Sequence, residues 1–393
     1  METQNRENLT PWKSLLIGGG SMLVVCLAGF GVFHIVIPNL LSASSKASKE
    51  QHHNEGLFVI KQNNKYGYID KTGKIVVNPQ FDYAESEFTE GLVKIQIGDK
   101  FGYADKAGKI VINPQFGNAE SKFTDGLAAV RLGEKYGYID KTGKIVINPQ
   151  FDYASSFDEG LAAVKVGEKY GYIDKEGKIV INPQFDYANS EFTEGLAAVK
   201  VGDKLGYIDK TGKIVINPQF DDVNKFSEGL AAIKVGGKCG YIDKEGKIVI
   251  NPQFDYSDSE FSEGLASVRV GDKWGYIDKT GKIVINPQFD ERSQFSEGLA
   301  AIKVGGKWGY IDKEGKIVIN PQFDDASRKF SEGLIAVELE KKWGYIDKAG
   351  KIVINPQFDY ANSEFIDGLA QVNIGDKSGY INRDGKYIWN PTN

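Results

Sequence analysis

The pattern of apolar and polar residues changes twice along the chain. Residues 15–37 form an uninterrupted run of 23 residues without a formal charge. As a helix this run would be about 34 Å long, enough to cross a hydrocarbon core roughly 30 Å thick. We therefore predict a short N-terminal tail at residues 1–14, a transmembrane helix at 15–37 and a flexible, polar stalk at 38–55. From residue 56 to 393, short apolar runs alternate with Gly, Asp and Pro turn signals, which predicts β-strands.

A Gly-Tyr pair repeats through residues 56–393 at intervals of 34 or 35 residues. A period of this length is typical of repeat architectures. The ten glycines of the pair are Gly67, Gly102, Gly137, Gly171, Gly206, Gly240, Gly275, Gly309, Gly344 and Gly379. The sequence therefore predicts one repeat domain, residues 56–393, of ten units of about 35 residues.

Each unit contains three strand-like runs separated by turn signals. A run such as LAAVKV ends in a pair such as Gly202–Asp203, which suits a two-residue hairpin turn because positive φ costs glycine little. The run around Trp274-Gly275-Tyr276 leads into an Asp-Lys-Thr-Gly turn, and the run at 283–285 follows. We expect Asn286-Pro287 to end this third strand, because proline cannot donate to a sheet. Each unit is thus predicted to be a three-stranded antiparallel meander.

The segment between the units carries all the variation in length. The two phenylalanines that bound it are six residues apart at Phe151 and Phe157 but seven apart at Phe81 and Phe88. Loops at the surface tolerate such insertions. We call this segment the crossover.

The third strand bears apolar residues at successive positions, Ile283-Val284-Ile285, so we expect both of its faces to be buried. Sheets stacked on both sides would bury them, in an open superhelical β-solenoid or in a closed β-propeller-like ring. The first and last units are atypical, as the caps of an open array are. An all-β repeat protein in the form of an open solenoid is therefore the prediction, and the closed ring is the alternative.

The combination of Trp-Gly-Tyr-Ile-Asp-Lys with a following Gly-Lys and Asn-Pro-Gln-Phe resembles the bacterial WG-repeat (KWG-repeat) family, over residues 56–391. The resemblance implies a β-rich repeat scaffold, often secreted or attached to a membrane, and it brings no catalytic residues. The tryptophan itself stands only in three consecutive units. Those residues are Trp274, Trp308 and Trp343.

These three tryptophans have two interpretations. Either they pack against the next sheet, or they form a stripe that binds a glycan or an extended peptide. The divergent crossovers are a second candidate surface. Their residues are Asp222, Asn224, Lys225, Glu291, Arg292, Gln294, Asp325, Arg328 and Lys329. The aspartate that starts each Asp-Lys-x-Gly turn, such as Asp140, is expected to cap the turn rather than to bind calcium, because lysines surround it.

Composition excludes several kinds of chemistry. The three histidines, His34, His52 and His53, precede the repeats, so a histidine-based triad or a histidine-ligated metal is not expected there. The net charge of −5 argues against nucleic-acid binding, which needs a basic footprint. The two cysteines, Cys26 and Cys239, do not suggest a disulfide framework. We predict no catalytic residue, metal or cofactor.

The leading hypothesis is a non-enzymatic, membrane-anchored scaffold that binds another protein. The alternatives are a module that binds glycans of the cell wall or envelope, and a passive spacer. The repeat domain is expected outside the cytoplasm on a single-pass anchor at residues 15–37. Secretion after signal cleavage stays open as an alternative because the small residues Ser42, Ala43 and Ser44 allow a cleavage site. A cytoplasmic repeat domain stays open because two basic residues flank the apolar run on either side.

Overall fold

The computed structural model describes residues 56–117, 122–258, 260–361 and 364–392. The predicted tail, transmembrane helix and stalk lie outside these residues. Within them, no helix is both long enough and apolar enough to cross a membrane.

The described chain folds into ten small antiparallel sheets, which we number in chain order. Sheets 1 to 3 contain β1 (Leu57–Gln62), β2 (Lys65–Asp70) and β3 (Ile75–Phe81); β4 (Tyr83–Ala84), β5 (Leu92–Ile97), β6 (Lys100–Asp105) and β7 (Ile110–Phe116); and β8 (Leu127–Leu132), β9 (Lys135–Asp140) and β10 (Ile145–Phe151). Sheets 4 to 6 contain β11 (Tyr153–Ala154), β12 (Ala162–Val166), β13 (Lys169–Ile173) and β14 (Ile179–Phe185); β15 (Tyr187–Ala188), β16 (Leu196–Val201), β17 (Lys204–Asp209) and β18 (Ile214–Phe220); and β19 (Asp222–Val223), β20 (Ala231–Val235), β21 (Lys238–Ile242) and β22 (Ile248–Phe254). Sheets 7 and 8 contain β23 (Tyr256–Ser257), β24 (Leu265–Val270), β25 (Lys273–Asp278) and β26 (Ile283–Phe289); and β27 (Glu291–Arg292), β28 (Ala300–Val304), β29 (Lys307–Ile311) and β30 (Ile317–Phe323). Sheets 9 and 10 contain β31 (Asp325–Ala326), β32 (Leu334–Leu339), β33 (Lys342–Asp347) and β34 (Ile352–Phe358); and β35 (Tyr360–Ala361), β36 (Leu369–Ile374), β37 (Lys377–Asn382) and β38 (Tyr387–Thr392).

The predicted meander is present in every sheet, but the crossover adds a strand that the sequence did not suggest. In sheet 9, for example, the two-residue β31 pairs with β32, which pairs with β33, which pairs with β34. The hairpin turn is as short as predicted: Val201 pairs with Lys204, and φ at Gly202 is +61°. The crossover thus runs along one edge of each four-stranded sheet and leaves the last strand at the other edge.

The prediction that Asn-Pro ends the third strand is wrong. The strand continues through these residues to the phenylalanine, and its register against the second strand shifts on the way. The resulting bulge lies directly over the glycine of the Gly-Tyr pair. A Cβ atom added to Gly344 would come within 2.5 Å of the Ile354 carbonyl oxygen and 2.6 Å of the Pro356 nitrogen. The glycine of the Gly-Tyr pair and the Asn-Pro of the third strand therefore occur together. The bulged backbone at Asn-Pro occupies the space that a side chain at the glycine would need.

The third strand is also less buried than its composition suggested. Ile283 and Val284 are 42% and 40% exposed, and only Ile285, at 3%, is buried. We expected burial on both faces, but the start of this strand projects from the packed region of the sheet.

Neighbouring sheets pack face to face, and their apolar side chains form one buried cluster at each junction. At the junction of sheets 7 and 8, Tyr276 packs on the crossover residue Phe295, with ring centroids 4.9 Å apart. The hydroxyl of Tyr276 crosses the junction and donates a hydrogen bond of 2.7 Å to the Ser293 carbonyl. This arrangement, a tyrosine of one unit bonded to the crossover that follows it, recurs through the chain.

The first and last sheets meet in the same way and close the ring. The Tyr380 hydroxyl donates a hydrogen bond of 2.9 Å to the carbonyl of Val59, across 321 positions of sequence. Tyr380 also packs edge to face on Phe58, with centroids 5.4 Å apart. The protein is therefore a ten-bladed β-propeller, and the predicted open solenoid does not form. The atypical ends, which we interpreted as caps, are atypical because they contact each other. We call this junction the seam.

Two polar contacts reinforce the internal junctions at opposite ends of the strands. The aspartate after the third strand contacts both sheets: Asp359 accepts hydrogen bonds from the Lys342 ammonium group (2.6 Å) and from the Gly375 amide of the next hairpin (2.7 Å). Eight junctions share this contact, which we call the aspartate bridge. Its acids are Asp82, Asp152, Asp186, Asp221, Asp255, Asp290, Asp324 and Asp359. At the other end, a glutamate such as Glu194 accepts from the Gly229 amide (3.1 Å) and pairs with Lys244 (2.7 Å).

Candidate interaction surface

The exposed start of the third strand repeats around the ring. Eight units expose both an isoleucine and the following valine, at the equivalents of Ile283 and Val284. A lysine precedes each pair, and all ten lysines at this position are exposed. They are Lys74, Lys109, Lys144, Lys178, Lys213, Lys247, Lys282, Lys316, Lys351 and Lys386. We call these lysines, with the isoleucines and valines that follow them, the Lys-Ile-Val band.

The turn that precedes the lysine in each unit packs on the sheet before it. A Cβ atom added to Gly281, next to Lys282, would lie 3.1 Å from a side-chain methyl carbon of Ile250. Ile250 is the buried third residue of the run that begins with the exposed Ile248 and Val249. The turn before each lysine therefore packs on the buried residue that follows the apolar pair of the unit before it.

The local turn fixes the backbone of the lysine, but its ammonium group forms no ion pair with the residues that the structure describes. Asp278 accepts hydrogen bonds through one carboxylate oxygen from the Thr280 amide (2.9 Å), the Thr280 hydroxyl (2.6 Å) and the Lys282 amide (3.1 Å). The threonine hydroxyl is the main cause of a pKa below the usual value for Asp278. The aspartate thus caps the turn, as the sequence predicted.

The two lysines of one turn differ in their partners. Lys279 forms an ion pair of 2.9 Å with Glu228 across the junction. Lys282, three positions later, forms no ion pair with any described residue, and the same holds for the other nine lysines of the band. The band therefore combines apolar side chains with lysines that form no ion pair with the described residues, on a protein whose net charge is negative.

The strand that carries the band lies at an edge of its sheet, yet it is a poor template for another strand. Proline cannot donate a hydrogen bond, and Pro287 stands in the middle of β26. The bulge at the same position bends the strand further. A partner would therefore contact the side chains of the band rather than extend the sheet.

Comparisons with known proteins agree with this architecture. A family model described as a WG containing repeat matches nine consecutive segments, residues 66–101, 101–136, 136–170, 170–204, 206–239, 240–274, 274–308, 308–343 and 343–377. The chain belongs to the WG-repeat family. No functionally curated protein matches the sequence.

Solved structures resemble the WG-repeat ring in fold only. A structure of a eukaryotic initiation factor has 11% identity and a TM-score of 0.52, over 86% of this chain and 96% of that one. Hsv2p of Kluyveromyces lactis has 11% identity and a TM-score of 0.34, over 56% and 89%. Dihydro-heme d1 dehydrogenase NirN has 13% identity and a TM-score of 0.37, over 73% and 78%.

The three WG-repeat tryptophans lie at the junctions rather than in an open stripe. Trp308 is 2% exposed and belongs to the cluster between sheets 8 and 9. Trp274 and Trp343 are half-buried and pack against the equivalent clusters. A ligand could reach Trp308 only if sheets 8 and 9 separated.

The structure brings two of these tryptophans together with candidate crossover residues. The guanidinium group of Arg292 lies 3.9 Å from the ring centroid of Trp274, and that of Arg328 lies 4.8 Å from Trp308. Arg292 also pairs with the buried Asp258, which accepts a further hydrogen bond of 2.6 Å from the Ser267 hydroxyl. Burial raises the pKa of Asp258, and Arg292 opposes this effect.

The other candidate crossover residues contact their own or the adjacent unit. Lys225 pairs with Glu260 (3.1 Å) and Lys329 with Glu364 (3.6 Å), which links successive crossovers. Glu291 lies 3.7 Å from Lys303. Three remaining members bond to adjacent residues: Asp222 accepts from the Val223 amide, Asp325 from the Ala326 amide, and the Gln294 carbonyl from the Ser293 hydroxyl. The Asn224 carbonyl accepts a hydrogen bond from Tyr207 across the junction.

Sequence reasoning missed the Lys-Ile-Val band. Its signal was present as the repeated Lys-Ile-Val triplet. Three successive apolar residues indicated burial on both faces, and only the structure reveals that the first two project from the sheet.

Proposed function

We propose that this WG-repeat protein is a non-enzymatic scaffold that binds a protein partner through the Lys-Ile-Val band. One observation carries the proposal: exposed apolar pairs recur in eight units of the ring, each preceded by a lysine that forms no ion pair with the described residues. Solvent-exposed apolar patches of this extent are typical of interaction surfaces. Repeat arrays bind partners by such extended faces.

The charge of the band defines the chemistry of the partner. Ten lysines without ion pairs in the described structure favour a partner with acidic side chains around an apolar centre. Steering by these lysines would accelerate association and would weaken as the salt concentration rises. The absence of histidine after His53 supports binding rather than acid–base catalysis as the function.

The experiment places a photo-cross-linking residue at Val249, within the band, in cells that contain the native protein. A matched residue, Val235, lies in the same sheet at the hairpin end and has a similar exposure, 42% against 38%. We expect one protein to be captured from Val249 and not from Val235. The captured protein, once purified, should bind the full chain less tightly at high salt.

A further experiment tests the surface with that purified partner. Val215→Glu, Val249→Glu and Val284→Glu combined should reduce affinity by at least tenfold, since they place carboxylates against an acidic partner. Val201→Glu, Val235→Glu and Val270→Glu change the same three sheets at the opposite end. Equal loss of affinity in both triple variants would contradict the proposal.

Membrane attachment through residues 15–37 also belongs to the proposal, on the hydropathy of the sequence. We expect the full chain to resist extraction of membranes at alkaline pH, and protease added to intact cells to digest the repeat domain. Release into the supernatant would contradict the anchor, and protection from protease would contradict the extracytoplasmic location.

A further inference from the structure

A basic side chain lies between two aromatic ones across sheet 7. Tyr256 in β23 pairs with Arg269 in β24, which pairs with Trp274 in β25. Residues directly opposite each other in antiparallel strands share one face of the sheet. The guanidinium carbon of Arg269 lies 5.8 Å from the ring centroid of Trp274, and the two aromatic rings meet edge to face with centroids 5.4 Å apart. We call these three residues the Arg269 row.

The charge of Arg269 has no acid of its own in the part of the chain that the structure describes. Its guanidinium group forms no ion pair there, and its buried Nε atom has no hydrogen-bond partner there. The pKa of the nearby Asp255 is lowered mainly by hydrogen bonds from Lys238 and from the Gly271 amide, and least by Arg269. A guanidinium group matches the two oxygens of a carboxylate, so Arg269 is suited to an anion from another molecule.

Sheet 8 shows the same row with an acid in place. Glu291 stands at the position of Tyr256, opposite Lys303, and its carboxylate lies 3.7 Å from the ammonium group of that lysine. The same ammonium group lies 5.5 Å from the ring centroid of Trp308. In sheet 7 a tyrosine replaces this acid. The row therefore keeps the cation and the ring, and a ligand would supply the carboxylate.

The Arg269 row is an open surface and not an enclosed pocket. Tyr256 is 50% exposed, and its strand is two residues long at the edge of the sheet. Small molecules and the anchoring side chains of peptides bind in enclosed concavities. A peptide that extends a sheet needs a longer run of free backbone than β23 offers. A ligand with a flat apolar face and a carboxylate suits this surface better.

A nucleic acid has flat faces, but it carries more charge than the row can compensate. Each nucleotide brings a phosphate, and a strand binds by neutralising several of them. Arg269 is the single cation of the row, and the acid Asp255 directly precedes Tyr256. A uronic acid is a better match, because it combines one carboxylate with a sugar ring that is apolar on one face.

We infer that the Arg269 row binds an acidic glycan, with the carboxylate of a uronic acid on Arg269 and the apolar face of its sugar ring on Tyr256. The hydroxyl groups of the sugar stay in water at the open edge of the site, which suits a half-exposed tyrosine with an apolar ring and a polar tip. Trp274 has a positioning role, because its cation–π contact holds the guanidinium group in place.

This site is separate from the Lys-Ile-Val band. Arg269 adjoins Val270, which pairs with Lys273 at the hairpin end of the strands, whereas the band follows the Asp278 turn at the opposite end. The inference therefore does not rest on the proposed function. An Arg269 variant should leave the capture of a protein from Val249 unchanged, and a band variant should leave glycan binding unchanged.

The probes are tetrasaccharides of galacturonic acid, of mannuronic acid, and of glucuronic acid alternating with N-acetylglucosamine. Each is titrated calorimetrically into the full-length protein at low salt, beside its methyl ester, which has nearly the same shape but no charge. We expect saturable binding of at least one of the acids. Its ester should bind roughly tenfold more weakly, because it loses a charge-assisted pair of hydrogen bonds.

Three variants locate the bound glycan. Arg269→Gln should weaken binding roughly tenfold, as the ester does. Tyr256→Asp gives sheet 7 the acid that sheet 6 has at Asp222, and it should abolish binding because the new carboxylate pairs with Arg269. Lys303→Gln is the matched control, since Glu291 already faces that lysine, and it should leave affinity unchanged. The midpoints of thermal unfolding should match that of the wild-type protein.

Several results would overturn the inference. One is the absence of binding of all three acids by the wild-type protein. Another is equal affinity for an acid and its methyl ester, or equal affinity of the wild-type and Arg269→Gln proteins. Oligothymidine and a polyglutamate peptide are titrated in parallel. If either bound more tightly than the glycans and lost this affinity in Arg269→Gln, the ligand would belong to that other class.

Discussion

Sheets 7 and 8 are joined by a crossover of the chain, whereas sheets 10 and 1 are joined only by side chains of the described residues. At the first junction Tyr276 packs on Phe295 and bonds to Ser293, and both partners belong to the crossover. At the seam Tyr380 makes the same two contacts with Phe58 and Val59, which belong to β1. The tyrosine of the Gly-Tyr pair thus makes one ring contact and one hydrogen bond at both junctions. Its partners lie in the crossover at the first junction and in β1 at the seam. At the seam, β1 supplies the partners that a crossover supplies elsewhere, because no crossover among the described residues reaches the seam.

The seam also has weaker electrostatic support than the internal junctions. Eight of the nine internal junctions have an aspartate bridge at one end of the strands, and several have a glutamate contact at the other end, as at Glu194. At the seam, the position of the glutamate contact is an open cavity of about 480 Å³ lined by Gly56, Asp70, Lys71, Thr72 and Asp367. Closure therefore depends mainly on apolar packing around Phe58.

The largest effect should follow from removing that packing. Phe58→Ala deletes the ring that Tyr380 contacts and leaves a cavity, a change that typically costs about 3–5 kcal/mol. Because no crossover among the described residues joins sheets 1 and 10, we expect the ring to open and the radius of gyration in small-angle scattering to increase before global unfolding.

The matched variant is Phe295→Ala, which deletes the equivalent contact with Tyr276. It should reduce the free energy of unfolding by a similar amount without enlarging the native protein, because the crossover still joins sheets 7 and 8. An unchanged radius of gyration in both variants would show that the seam is as firmly closed as an internal junction.

An intermediate effect is expected at the glycine of the Gly-Tyr pair. Gly344→Ala would bring its Cβ atom within 2.5 Å of the Ile354 carbonyl oxygen, and overpacking of this kind costs about 1–3 kcal/mol. In the last unit, Gly379→Ala is less crowded, with 2.7 Å to the Trp389 carbonyl oxygen. Urea unfolding should therefore give a larger loss for Gly344→Ala than for Gly379→Ala.

Gly117→Ala is the control for this pair, since an added Cβ atom there meets no atom within 4 Å. It should be close to neutral. If Gly117→Ala reduced the free energy of unfolding as much as Gly344→Ala, crowding by the bulge over the glycine of the Gly-Tyr pair would not be the cause of the loss.

The sequence predicted the features that depend on neighbouring residues and missed those that depend on distant ones. Periodicity located every unit, and local chemistry predicted the hairpin at Gly202 and the turn cap at Asp278, since both depend on neighbouring residues. The path of the third strand was not predictable from Pro287 alone, because a bulge over a distant glycine keeps the strand in the sheet. Closure of the ring depends on Phe58 meeting Tyr380, 322 positions away, and no local pattern encodes that contact.

The exposure of the candidate surfaces also depends on contacts that are distant in sequence. Nothing local distinguishes the buried Trp308 from the half-buried Trp274, because their exposure depends on the packing of the next sheet. The Lys-Ile-Val band arises from what neighbouring sheets leave uncovered, which requires the assembled ring.

The smallest effect should come from the aspartate bridge, which is exposed to solvent. Asp290→Asn keeps the size of the side chain but removes the charge that Lys273 and the Gly305 amide contact. These contacts, the lysine first, lower the pKa of Asp290 below its usual value. Because the pKa in the unfolded chain is about 3.9, the contribution is fully present above that pH and is lost as the pH falls through the lower folded value. The variant should therefore be slightly less stable at pH 7, and the difference should vanish in acid.

The junction of sheets 2 and 3 offers the reverse test, because Gly117 stands where other units have the bridging aspartate. Its lysine, Lys100, lies 3.7 Å from the neighbouring Asp99 instead. Gly117→Asp should raise the midpoint of thermal unfolding at pH 7 and not below about pH 3, because the added carboxylate acts only while it is ionised. Asp272→Asn, in the hairpin of sheet 7, removes a carboxylate that forms no hydrogen bond or ion pair with the described residues, so it is the control for a change of charge alone. If Gly117→Asp and Asp272→Asn proved alike in their pH dependence, the bridge would be a consequence of the ring's geometry and not one of its supports.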